Sequence, residues 1–147
     1  MRTWIAGTTA LILTSCSTPE ERRHDALMDQ IEGQVQLPKG ASPLDDYIRV
    51  YAAGGKDQVI ASYALSSVVS DAAKQECADV AIDGSAKAVP CVSPVVRAAK
   101  PGDRVWVSRS GDLPFQDVHG CEVITLAYKL SEQRFEELGC VGQRPVR

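Results

Sequence analysis

Three kinds of side chain in this sequence have the types and spacing to do chemistry: thiols, phenols beside a guanidinium, and paired carboxylates. The thiols are Cys16, Cys77, Cys91, Cys121 and Cys140, an odd set of five. Cys16 stands apart near the start, and the other four form an even remainder. In an exported chain an even remainder reads as two disulfides. Of the three pairings that four cysteines permit, Cys77–Cys91 and Cys121–Cys140 are expected, because each closes a short loop within one local unit. A bridge across ~15 residues contributes roughly 3 kcal/mol on the loop-entropy account. Zinc is a poor alternative: no CxxC occurs, and the only histidines are His24 and His119. No metal or cofactor is expected. His119 and Cys121 would share a strand face, which leaves a base-and-nucleophile pair geometrically open. Cys121 is better explained as half of a disulfide.

Tyr47, Arg49 and Tyr51 alternate with Ile48, Val50 and Ala52. On a strand the two sets lie on opposite faces. Two phenols beside a guanidinium can stack on and hydrogen-bond to a sugar, a peptide carboxylate or a partner surface. Tyr47, Arg49 and Tyr51 are therefore the candidate partner-binding residues, with Ile48 and Val50 expected in the core. Two other arrangements stay open: the tyrosines merely cover an exposed sheet face, or they pack under an N-terminal helix. Asp45-Asp46 and Glu136-Glu137 are adjacent carboxylates. Neighbours on a strand point apart, so neither pair makes an acid/base dyad. A GxSxG elbow, an SxxK pattern and glycine-rich phosphate loops are all absent. No catalytic residue is assigned.

The N-terminus is Met1-Arg2-Thr3, an apolar stretch over 4–13, then Thr14-Ser15-Cys16. A positive start and a short apolar run fit a secretory signal over 1–15 and are too short to span a bilayer. Leu13-Thr14-Ser15-Cys16 resembles the lipobox of bacterial lipoproteins. That resemblance implies a diacylglyceryl thioether on Cys16, cleavage just before it, and acylation of the new amine, with palmitate as a typical chain. Several acyl chains, at ~0.8 kcal/mol per buried methylene, hold a protein on a membrane almost permanently. Ser17 stands where an Asp would favour the inner membrane. By the same resemblance, delivery is expected to the periplasmic face of the outer membrane.

The elements that must position these groups follow from local signals. Thr18-Pro19-Glu20-Glu21 has the form of a capped helix start, and Gly33 is expected to end the helix. Leu27 and Ile31 form its apolar stripe, with Ala26 and Met28 beside them. The helix either packs on the domain or serves as a charged stalk. Strands are expected over 47–51 and 59–65 around the turn Gly54-Gly55-Lys56-Asp57. A short helix is expected over 72–77, and a short strand over 80–82 before a turn at Asp83-Gly84-Ser85. Pro90, Pro94 and Pro101 argue against long elements between them. A strand follows over 104–108, then a loop, then a hairpin over 121–128 and 134–140. Pairing Cys121 with Cys140 there sets Leu126 opposite Phe135. The fold class is α+β: an N-terminal helix on a small antiparallel sheet of about four or five strands. The expected organisation is a lipid-anchored N-terminus with its helix over 16–36, one domain over 37–141 and a flexible tail over 142–147.

The 147 residues carry 16 basic and 19 acidic side chains, and 44% are apolar. That is globular composition without the basic excess of a nucleic-acid binder, so no nucleic-acid partner is expected. The segment 37–51 and the Cys121 to Cys140 hairpin are similar to small uncharacterised exported proteins of Gram-negative bacteria, a resemblance that implies no known activity. The expected role is a membrane-anchored binding or accessory module of the cell envelope, with an envelope protein or a glycan as partner. Two alternatives are an inhibitor of an envelope hydrolase such as lysozyme, and a small envelope hydrolase.

Overall fold

Helix α1 (Pro19–Glu32) starts where the capping signals put it. In this computed structural model, which describes residues 17–80, 84–115, 118 and 120–141, the Glu21 amide donates to Thr18 Oγ1 at 3.2 Å. The Thr18 amide donates in return to Glu21 Oε2 at 2.6 Å. Two otherwise orphaned donors are satisfied reciprocally. Gly33 closes the helix: its N–H donates to the Asp29 carbonyl, and the Gln34 N–H donates to the Ile31 carbonyl. Met28 and Ile31 are buried, Leu27 is half-buried, and Ala26 is exposed. The helix is thus docked on the domain.

The chain then makes β1 (Tyr47–Ala53) and β2 (Gln58–Leu65) as an antiparallel hairpin. After them come α2 (Ser66–Ala72), β3 (Glu76–Val80), β4 (Ala86–Pro90), α3 (Pro94–Ala98), β5 (Arg104–Trp106), β6 (Val123–Lys129) and β7 (Arg134–Cys140). The principal sheet has five strands in the order β5-β1-β2-β6-β7. The class is α+β, as expected, but the sheet is mixed. β5 pairs with β1 in parallel, Val50 facing Val105. The long excursion between β2 and β5 returns the chain to the far edge of β1 in the same direction, which no local turn signal announces.

Both faces of this sheet are covered. On one, Ile48, Val50, Ala52, Ala64 and Val123 pack with Val68, Val69 and Ala72 of α2 and Val96 of α3. On the other, Tyr47, Tyr51, Tyr63, Ile124, Leu126 and Tyr128 pack with Met28 and Ile31 of α1. Six of the seven residues of β1 are therefore buried, in an unbroken run.

The expected helix over 72–77 is corrected. α2 lies earlier, and Cys77 sits on β3. The adjacent β-branched pair Val68-Val69 obscured the helical period, yet both side chains and Ala72 are buried on one side of α2. The β3–β4 hairpin is a separate two-stranded ladder. Its side chains at Glu76, Cys77, Ala78 and 84–88 are exposed. The Cys77–Cys91 disulfide ties its base at a Cα separation of 4.9 Å. The Cys121–Cys140 disulfide, at 4.7 Å, closes the β6–β7 end. The register expected there is also corrected: Leu126 faces Leu138, and Phe135 faces Tyr128. Cys121 lies in the turn before β6, so its bridge does not join facing strand residues; the ladder is offset by three residues from the expected register, and a bulge between Ala127 and Tyr128 takes back one of them. Cys16, residues 81–83, His119 and the tail 142–147 lie outside the described residues, and with them the lipidation site and most of the expected turn at Asp83. Among the described residues no helix is long and apolar enough to cross a membrane.

Candidate functional site

The alternation of β1 does place Tyr47, Arg49 and Tyr51 on one face, and that face is closed by α1. Tyr47 and Tyr51 are fully buried and Arg49 is 6% exposed. The expectation of an open partner-binding face is corrected. It took one side of the sheet as solvated, whereas helices cover both sides. Ile48 and Val50 are core residues, as expected.

Beneath α1 the polar groups pair with one another, except that Arg49 Nε is buried without a hydrogen-bond partner. The Tyr47 hydroxyl donates to the Cys121 carbonyl at 2.7 Å and accepts from the Ser42 amide at 3.0 Å. The Tyr51 hydroxyl donates to Glu32 Oε1 at 2.6 Å. With that proton committed, the Tyr63 hydroxyl, 2.9 Å away, is the donor to Tyr51. Arg49 donates to Glu32 Oε2 at 3.2 Å and to the Gly102 carbonyl. Gln30 and Gln34 both donate to the Tyr128 hydroxyl, at 3.0 and 2.8 Å. Arg104 of β5 donates to Asp29 of α1. Burial pushes the Tyr51 phenol far above its ordinary range, helped by Tyr63 and Glu32. Burial raises the Tyr63 phenol as well. Both therefore stay neutral, and the cluster fastens α1 to the sheet.

A second constellation lies at the open edge of the same helix. His24 of α1 stacks on Trp106 of β5, ring centroids 4.0 Å apart and planes within 6°. Two grooves of about 490 and 570 Å³ flank this pair and share Glu21, His24 and Trp106. The first is walled by Thr18, Ser93, Val95, Ser108 and Asp112. The second reaches Ser17, Asp25 and Arg104. Ser93 Oγ is buried at the first wall without a hydrogen-bond partner. Hydroxyls, carboxylates and an aromatic edge in one groove can hold a polar ligand by hydrogen bonds and stacking. The sequence reading missed this pair. Its one available signal was the alternation Arg104-Val105-Trp106-Val107, which sets Arg104 and Trp106 on the face away from Val105 and Val107. Nothing local joins that face to His24.

Among the described residues no group of three His, Cys, Asp or Glu side chains is placed to hold a metal ion. Cys121 is bonded to Cys140, so its thiol is not available as a nucleophile. No protein-family model matches the chain, and neither a curated protein nor a solved structure does.

Proposed function

We propose that this chain is a lipid-anchored protein of the bacterial envelope, carried on the periplasmic face of the outer membrane, whose domain acts as a binding or accessory module. The observation that carries the reading is the Leu13-Thr14-Ser15-Cys16 element standing immediately ahead of a docked, capped helix. Two disulfides suit an oxidising compartment. The grooves beside His24 and Trp106, rather than the closed Tyr47-Arg49-Tyr51 face, offer the module its contact surface. Intact-mass spectrometry and membrane fractionation test the anchor. The mature protein should carry acyl mass on Cys16. Cys16→Ser should leave the precursor uncleaved or release it from lipidated membrane fractions. An unmodified Cys16 at a processed N-terminus refutes the reading.

A second reading, an inhibitor of an envelope hydrolase, has one observation in its favour. The β3–β4 hairpin pairs only with itself among the described residues, is exposed, and is stapled at its base by Cys77–Cys91. Such a pre-organised hairpin can enter a cleft at low ordering cost. Lysozyme assays with the oxidised protein test it, and undiminished activity at saturating protein removes lysozyme as the target.

A further inference from the structure

The two disulfides stand in opposite surroundings. Cys121 and Cys140 are buried in the layer beneath α1. Cys77 is exposed and Cys91 half-buried, at the foot of a hairpin that, among the described residues, pairs only with itself. A disulfide shut in a core is out of reach of a thiol, whereas an exposed one is of the labile kind. Cys77–Cys91 is also the covalent closure of the hairpin's base. The side chains of Glu76, Ala78, Ala86, Lys87 and Ala88 are exposed, so the ladder has little packing of its own. A two-stranded hairpin without a packed face is marginal in water.

Two clefts open on this bridge. The first, of about 250 Å³, is walled by both cysteines together with Arg109 and Asp112. The second, of about 270 Å³, reaches Cys77 but not Cys91, and Glu76 and Lys87 line it. A thiolate entering the second cleft meets Cys77 as its target, which makes Cys91 the departing group. Cys91 departs into the cleft that holds the Arg109 guanidinium. A cation beside a thiol favours its thiolate, and the lower the pKa of the departing thiol, the faster it leaves. Asp112 opposes that effect, since it accepts from Arg109 at 3.0 Å and offsets part of the charge. At Cys77, Lys87 favours the arriving thiolate and Glu76 opposes it.

We infer that Cys77–Cys91 is a thiol–disulfide exchange site that takes the dithiol of a partner protein and so decides whether the β3–β4 hairpin is held. The partner's first thiolate attacks Cys77 Sγ. A mixed disulfide forms there, the Cys77–Cys91 bond breaks, and its electron pair leaves with Cys91 Sγ. The partner's second thiolate then displaces Cys77. Two electrons pass to this chain, the partner ends as a disulfide, and the two protons that its thiols lose are taken up at Cys77 and Cys91. Cys121–Cys140 stays closed, and the freed hairpin opens locally. The inference stands independently of the anchor.

The test uses the full-length chain with Cys16→Ser, in which Cys77, Cys91, Cys121 and Cys140 are the only cysteines. It is equilibrated with mixtures of reduced and oxidised dithiothreitol, alkylated and mapped by mass. Cys77 and Cys91 should open together at a reduced-to-oxidised ratio about tenfold or more below the one that opens Cys121 and Cys140. After a short pulse of a monothiol, the trapped mixed disulfide should sit on Cys77, with Cys91 alkylated. Arg109→Gln should slow the opening several-fold and Asp112→Asn should quicken it. Both variants break the same ion pair, so a merely structural role for it would move the two rates in the same direction. In the half-reduced protein the amides of β3 and β4 should lose hydrogen-exchange protection while those of β1, β2 and β6 keep theirs. Opening of all four cysteines at one ratio overturns the inference. So does a mixed disulfide trapped on Cys91 instead of Cys77, and so do hairpin amides that exchange alike with the bridge closed and open.

Discussion

Arg49 shows how far a residue's role depends on what lies across from it. Its guanidinium is nearly buried and bonded to Glu32 and to the Gly102 carbonyl. Asp45 stands 3.9 Å off but is 92% exposed, so it is a weak substitute for Glu32. Breaking a buried pair by removing one member is costly, because the other charge is left desolvated. Arg49→Ala and Glu32→Gln should each destabilise by about 3 kcal/mol, comparable to the 2–5 kcal/mol of Ile48→Ala. Urea melts check this, and an Arg49→Ala midpoint equal to the parent's would mean that the pair is idle. The tyrosines add a pH dependence. In the unfolded chain a phenol ionises near pH ~10, whereas in the fold Tyr51 and Tyr63 hold their protons to higher pH. The unfolded state then binds fewer protons, so stability falls as pH rises. The contribution is whole below ~10 and is lost above it, at up to about 1.4 kcal/mol per pH unit for each tyrosine. Tyr51→Phe with Tyr63→Phe should flatten the alkaline limb of a plot of stability against pH. An equally steep limb in that variant would refute the assignment.

At the scale of elements the two disulfides do different work. Cys121 and Cys140 are 8% and 6% exposed and belong to the core beneath α1. Cys77 lies on an exposed hairpin that, among the described residues, pairs with no strand of the main sheet. Removing Cys121–Cys140 by paired alanines should lower global stability by about 3 kcal/mol, since it frees the β6–β7 end and opens space in a packed layer. Removing Cys77–Cys91 should melt the hairpin locally and leave the global unfolding free energy from a urea melt within about 0.5 kcal/mol of the parent's value. Mild reduction followed by alkylation separates them by mass: Cys77 and Cys91 should label first, under conditions where the sheet amides remain protected. Simultaneous labelling of all four would show that the hairpin and the sheet open as one unit.

At the scale of the molecule, what was legible in the sequence was local. Thr18, Glu21 and Gly33 announce α1, and Gly54-Gly55-Lys56-Asp57 joins two alternating runs into β1 and β2, because capping and turn chemistry act between near neighbours. The cysteine pairing was legible for the same reason. The parallel seam between β1 and β5 was not, because no contact within reach of Arg104 along the chain encodes it. The two faces of β1 were legible, but not the layer that covers each, since burial of Tyr47, Arg49 and Tyr51 depends on where a distant helix docks. That docking is what makes the sheet two-sided, and it can be removed. A chain that begins at Gln34 loses Met28 and Ile31, each worth about 2 kcal/mol of apolar burial. It also leaves Arg49 without Glu32 and uncovers Tyr47, Tyr51, Tyr63 and Tyr128. Against a typical total of about 5–15 kcal/mol, such a loss should leave a collapsed state that binds a hydrophobic dye, keeps its far-ultraviolet dichroism and lacks a near-ultraviolet signal. A peptide of residues 17–33 added in trans should restore part of that signal, and Glu32→Gln in the peptide should restore less. Should the truncated chain instead melt cooperatively with the parent's midpoint, α1 would be a detachable cover over a self-sufficient sheet, and the four tyrosines would then form an accessible floor.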